Sequence, residues 1–326
     1  MRFGAFVPQG WRSELAGKPV DEHWDWMSDF ARLIESSGYE SLWVFDHFHT
    51  VPEPVHEVTY EAWSLMASLA AATSTVRLGQ MCTCNSYRPP GMLAKIAATI
   101  DVVSNGRVEM GIGAGWYEHE YHGYGYEFPK PSVRIGMLRE SVEVMKALWT
   151  EDEVTYDGKY YELQGAIAYP KPVQDPHIPL WIAGGGEQLT LNVVARHAQS
   201  SNFGANLEEF VHKSEVLAGH CRTVGRDFDD IVRSSNFTVL CAATEAEVAE
   251  KVAWLESHYS QFLDGDKLAR FVEMWSSAAG TPEQLVEMLR PWVDAGLDYP
   301  IVFFADSGHT TEGMELFARE VIPAFS

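Results

Sequence analysis

Short apolar runs alternate with amphipathic runs along the whole chain, and this alternation restricts the fold more than any other feature. Residues 2–7, 41–45, 76–83, 108–112, 180–183, 199–203, 236–242 and 301–304 read as strands. Helical patterns lie between them. Asp21 is expected to cap a helix striped by Trp26, Met27, Phe30, Leu33 and Ile34 and stopped at Gly38. Further helices are expected over 60–72, from Pro89-Pro90 to a stop at Asn105-Gly106, and over 133–149, 187–196, 207–223, 282–295 and about 312–319. Strands joined this way run parallel with right-handed crossovers. Eight such units in 326 residues fit an α/β fold of the (β/α)8 TIM-barrel type with insertions after several strands. A doubly wound sheet usually has fewer strands. The insertions fall at about 116–132, at 151–179, where a hairpin turns at Asp157-Gly158, and at 245–280, which reads as one over-long helical stretch. No linker or short repeat divides the chain, so one domain over 1–326 is expected.

Charge sorts the partners. The chain has 24 Lys+Arg against 46 Asp+Glu, a formal charge of -22. Nucleic-acid binding rests on basic groups that neutralise phosphates, and no basic run of five exists here. An anionic membrane surface would repel the chain as well. No stretch approaches the ~20 apolar residues of a spanning helix, and the first residues lack the apolar core of a signal peptide. Four cysteines without a CxxC pair suggest reduced thiols and a cytoplasmic protein. Cys82 and Cys84 share a strand face and read as packing rather than as ligands, so no metal is expected.

In a barrel the chemistry gathers at the C-terminal ends of the strands. The second strand ends in Phe45-Asp46-His47-Phe48-His49. A histidine beside a carboxylate suits proton transfer, and a histidine bonded into a loop is the plain alternative. The third strand ends in Met81-Cys82-Thr83-Cys84-Asn85, small and soft residues that could admit a flat ring or simply pack. The fourth ends in Gly111-Ile112-Gly113-Ala114-Gly115-Trp116, where alternating glycines let a ligand approach the backbone. Most of the following Tyr117-Glu118-His119-Glu120-Tyr121-His122 segment reads as a charged surface turn. The fifth strand ends in Gly184-Gly185-Gly186 and leads through Glu187 to Thr190. The segment is expected to run straight into a helix, where open amides form a phosphate site; a plain flexible turn is the alternative.

These segments, together with Arg77-Leu78-Gly79, Leu93-Ala94-Lys95 and Asp101 through Arg107, follow one another in an order that resembles the luciferase-like monooxygenase superfamily. The resemblance is strongest to the branch that depends on the deazaflavin coenzyme F420. It implies a barrel, usually a homodimer, with the cofactor ring against the third strand at a non-proline cis peptide, here Met81-Cys82. It implies that Ala114 and Gly115 flank the ring, and that Gly184, Gly185, Gly186 and Thr190 hold the phosphate. Asp46 and His47 would face the reaction, with His47 handling the proton. The implied activity is hydride transfer between F420 and a small organic substrate. The alternatives are an FMN-dependent monooxygenase on the same scaffold and a non-catalytic flavin or deazaflavin binder.

Some residues depart from the family pattern. Arg88-Pro89-Pro90 stands where many relatives have Arg-His-Pro. Trp116 stands where sugar-phosphate dehydrogenases of the branch carry an acid, which turns expectation away from sugar phosphates. An anionic cofactor on an acidic protein requires a locally positive site, for which Arg88, Arg134 and Lys171 are candidates. The aromatics Trp11, Phe48, Trp116 and Tyr117 suggest an apolar, flat ligand.

Overall fold

The computed structural model describes residues 1–325. In chain order its elements are β1 (Gly4–Phe6), α1 (His23–Ser36), β2 (Ser41–Val44), α2 (Ala62–Ala72), β3 (Arg77–Gln80), β4 (Thr83–Cys84), α3 (Pro90–Val103), β5 (Val108–Gly113), α4 (Glu118–Gly123) and α5 (Pro131–Thr150). There follow β6 (Val154–Asp157), β7 (Glu162–Ala166), β8 (Leu180–Ala183), α6 (Thr190–His197), β9 (Ser200–Asn202), α7 (Leu207–Val224) and β10 (Val232–Cys241). The chain closes with α8 (Glu245–Tyr259), α9 (Gly265–Trp275), β11 (Ala279–Gly280), α10 (Pro282–Asp294), β12 (Tyr299–Phe304) and α11 (Glu312–Glu320).

The contacts group these elements into two compact units, residues 1–60 with 234–326, and residues 61–233. In the first, β1 pairs in parallel with β2 and β12, so that Ala5 lies between Leu42 and Val302. β12 pairs in parallel with β10, and β10 with the short β11. Every residue of β12 is buried, the continuous apolar reading of a parallel strand covered on both faces. Phe6, Trp43, Phe304 and Phe317 are almost fully enclosed, and each such side chain contributes about 1.5–3 kcal/mol through burial.

In the second unit β3, β5, β8 and β9 run parallel, with β4 continuing on β5 beyond β3. The hairpin β6–β7 stands apart as an antiparallel pair. Two residues of the Asp101–Arg107 segment serve as staples here. The buried Asp101 carboxylate accepts from the amides of Val173 at 2.7 Å and Gln174 at 3.2 Å. The buried Arg107 guanidinium donates to the carbonyls of Ala70 and Val76, both at 2.8 Å, and of Thr73 at 3.0 Å. These bonds satisfy the carbonyls left open at the end of α2.

All eight expected strand positions are occupied, the third by β3 and β4 in succession. Three local readings need correction. Asp21 does not cap α1: it lies inside a short 3-10 turn (Val20–Glu22), and α1 starts at His23. The helix expected from 187 starts only at Thr190, because residues 187–189 form a turn. The stretch 245–280 is two helices and a short strand. Its break at 260–264 precedes Gly265, whose φ of 47° is left-handed.

Candidate active site

One group of site residues belongs to the first unit and grows from the loop after β1. The Glu14 carboxylate is fully buried. Its Oε1 accepts from the amides of Gln9 and Gly10 at 2.8 Å each, and its Oε2 from the amide of Arg12 at 2.8 Å. One side chain therefore satisfies three loop amides that burial would otherwise leave costly. Gln9 ties this loop to the end of β2: its Nε2 donates to the Phe45 carbonyl at 2.8 Å, and its Oε1 accepts from the Phe45 amide at 2.7 Å. Phe45 stacks on Phe6 with ring centroids 4.1 Å apart.

The structure places Asp46 and His47 directly beyond β2, both buried. The His47 imidazole lies flat on the Trp11 indole, 4.1 Å away and 1° from parallel. Stacking fixes the plane in which its nitrogens point, which a proton-transfer group needs. Sequence reasoning passed over the neighbouring residue. The Arg12 guanidinium is surrounded by four aromatic rings: Trp11 at 4.4 Å, Trp275 at 4.9 Å, Phe45 at 5.6 Å and Phe303 at 5.8 Å. The Tyr259 hydroxyl donates to its carbonyl at 2.5 Å. Burial lowers the Arg12 pKa to about 10, so it stays charged at neutral pH.

The second group belongs to the other unit. Between β3 and β4 the Met81-Cys82 peptide is cis, with Met81 buried and Cys82 half-buried. Beside it Thr83 donates to the Gln80 side-chain oxygen at 2.7 Å. Beyond β5 the Ala114 carbonyl accepts from the Tyr121 hydroxyl at 3.3 Å, and that hydroxyl is 3.2 Å from the Cys84 Sγ. Gly115 has a φ of 78°, and a Cβ there would sit 2.0 Å from the Tyr121 hydroxyl. Only glycine fits that backbone. The segment expected as a surface turn is thus divided: Glu120 and Tyr121 of α4 are buried, and Glu118, His119 and His122 are exposed.

Beyond β8 the three glycines are not equivalent. The Gly184 amide donates to the Asn202 carbonyl at 2.9 Å, so it continues the ladder instead of offering a donor. A Cβ on Gly185 would sit 2.5 Å from the Lys213 Nζ, and one on Gly186 would sit 2.7 Å from the Thr190 hydroxyl. The absent side chains thus let an ammonium and a hydroxyl come close to the backbone. Both suit a phosphate oxygen. Lys213 of α7 pairs with Glu209 one turn earlier, and that ion pair holds the Glu209 carboxyl below its usual range.

Lys213 is a cation beside these glycines that the sequence reading did not name. The three expected cations are engaged elsewhere. Arg88 pairs with Glu61. Arg134 lies 4.0 Å over the Phe128 ring and donates to the Pro129 carbonyl. Lys171 donates to the Leu148 carbonyl at 2.9 Å.

A fold of parallel strands alternating with helices, with glycines and a histidine at the strand ends, defines a class of barrel enzymes, and comparison specifies it further. The luciferase-like monooxygenase family model matches residues 1–299, and the chain belongs to that family. It is 30% identical over 321 residues to an F420-dependent glucose-6-phosphate dehydrogenase of Nocardia farcinica, covering 90% of this chain and 92% of the relative. The corresponding protein of Amycolatopsis mediterranei is 29% identical, with the same coverage.

Among solved structures, an F420-dependent secondary alcohol dehydrogenase in complex with an F420-acetone adduct superposes with a TM-score of 0.80 at 22% identity, over 100% of this chain and 99% of the other. The coenzyme F420-dependent tetrahydromethanopterin reductase of Methanopyrus kandleri gives 0.78 at 20% identity, over the same shares. The fold is the α/β TIM barrel of these proteins.

Proposed function

We propose that this protein is an F420-dependent oxidoreductase that moves a hydride between the deazaflavin and a small organic substrate. The observation that carries this reading is the match along 90% of the chain to F420-dependent dehydrogenases. The close approach of Lys213 and Thr190 to the Gly185-Gly186 backbone supports it. When bound, F420 supplies a two-electron carrier that exchanges hydride with a substrate carbon.

The amides of Gly185 and Gly186, the Thr190 hydroxyl and the Lys213 ammonium hold the cofactor phosphate, and Gly184 shapes the turn. Met81, Cys82, Ala114 and Gly115 line the place of the ring. His47 manages the proton. When a hydride leaves an alcohol carbon, the hydroxyl proton passes to a ring nitrogen of His47, and in reduction the same nitrogen returns it to the carbonyl oxygen. Asp46 orients the imidazole.

The relatives named for glucose 6-phosphate do not fix the substrate here. Trp116 is 61% exposed and stacks on Tyr117 at 5.0 Å. That gives the loop after β5 an apolar aromatic face in place of an acid, so glucose 6-phosphate should be a poor substrate. The test is a reduced-F420 assay across conjugated carbonyl compounds, with F420-linked oxidation of glucose 6-phosphate as the contrast. Efficient oxidation of the sugar phosphate would reject this substrate reading.

The protein acts as a homodimer. Met92, Val102 and Val103 of α3 are exposed and offer an apolar face that a second copy would cover. Light scattering should give a dimer, and Val103→Glu should shift it toward monomer. The four cysteines form no disulfide, in keeping with a cytoplasmic location. Among the described residues no helix is long and apolar enough to cross a membrane.

A further inference from the structure

A guanidinium is an expensive group to enclose, and in folded proteins an enclosed one is ordinarily met by a carboxylate. Arg12 departs from that pattern. Its Nε is sealed from solvent without an acceptor. No carboxylate forms an ion pair with it among the described residues; the nearby Glu14 is occupied by three loop amides. Four aromatic rings fix the plane of the guanidinium without satisfying its hydrogen bonds. The residue as a whole keeps intermediate exposure.

The cage is tied to the proposed proton-transfer group. Trp11 carries the guanidinium 4.4 Å from its centroid and the His47 ring 4.1 Å from the same centroid. Both groups lie against Trp11, so the guanidinium and the imidazole are within the span of a small molecule. Trp275 of the cage, and Tyr259, which donates to the Arg12 carbonyl, come from the 245–280 insertion.

We propose that Arg12 is the anion receptor of the substrate site, and that the substrate is a small organic carboxylate with an apolar, flat body. Its acid group would make the paired, charge-assisted hydrogen bonds for which a guanidinium fork is shaped. The surrounding rings would cover the body, and His47 would serve the reducible or oxidisable oxygen. The proposal names the substrate class of the reaction proposed above and rests on that reading.

The test uses binding, not turnover. Cinnamate and its neutral isostere cinnamamide are titrated into the full-length protein by calorimetry, with and without F420. F420 binding is followed separately by its own fluorescence. Cinnamate should bind more tightly than the amide by about tenfold or more. Arg12→Met should abolish that preference while F420 affinity stays unchanged, and Arg12→Lys should retain part of it. A merely structural role for Arg12 would lower the melting temperature and leave the acid-to-amide ratio as it was. Equal affinity of acid and amide for the unaltered protein, an unchanged ratio in Arg12→Met, or no cinnamate binding at millimolar concentration would each overturn the proposal. Failure of F420 alone to bind would instead overturn the cofactor reading, since the acid-to-amide ratio is measured without it.

Discussion

The loop after β1 and the strand ends after β5 and β8 are built by opposite means. Around Glu14, Gln9, Trp11 and Arg12 the structure is made of side chains, each fixed by named hydrogen bonds or stacked rings. Around Gly115, Gly185 and Gly186 it is made of missing side chains, where neighbouring atoms approach the backbone too closely for a Cβ. The first arrangement suits selective chemistry on one substrate, because every group there has a direction. The second suits a cofactor common to many relatives, because backbone and space accept the same ligand whatever the substrate.

The contrast can be broken from either side. The largest effect should come from His47→Ala, which should lower kcat by about 10²–10⁴-fold and leave F420 affinity unchanged. A parallel loss of F420 affinity would erase the division of labour. Gly185→Val is expected to do the reverse. Its side chain must displace Lys213, so the F420 Kd should rise by about a hundredfold or more, the loss of two charge-assisted contacts, with kcat at saturating cofactor little altered. Lys213→Ala should weaken F420 about tenfold, and less so in high salt.

Glu14→Ala should cost about 2–3 kcal/mol of stability by stranding loop amides, as denaturant unfolding would show. Glu14→Gln, which keeps an acceptor, should cost less. The smallest effect concerns pH. Burial holds the buried His177 below the ordinary histidine value. The unfolded chain therefore takes up a proton that the folded chain refuses. The stability tied to this residue is complete above about pH 6.5 and falls as pH drops below it. Urea unfolding at pH 8 and pH 5.5 should show the decline, and His177→Gln should lessen it.

The same contrast explains what could be read from the sequence. Strands were visible because parallel pairing buries both faces and produces runs such as Tyr299–Phe304. The glycine ends were visible because glycine at a strand end is a local signal. Their unequal roles were not, since the engagement of the Gly184 amide with Asn202 depends on a partner in another strand. Asp21 misled because an acidic residue before an apolar stripe looks the same whether it caps a helix or sits in a 3-10 turn. Arg12 was illegible for a related reason. Its cage joins residues 11, 45, 275 and 303, and no local pattern announces that meeting. Lys213 likewise meets Gly185 only through the packing of α7 after β9.

The central claim is that the glycine-built region holds a deazaflavin. The most direct test is to titrate the cofactor-free protein with F420 and with FMN in parallel, following the fluorescence of each. Saturable F420 binding, weakened by Gly185→Val and accompanied by FMN binding at least about tenfold weaker, a difference of 1.4 kcal/mol, is the predicted result. Tight FMN binding with no F420 binding would contradict it and return the protein to the flavin monooxygenases of its family.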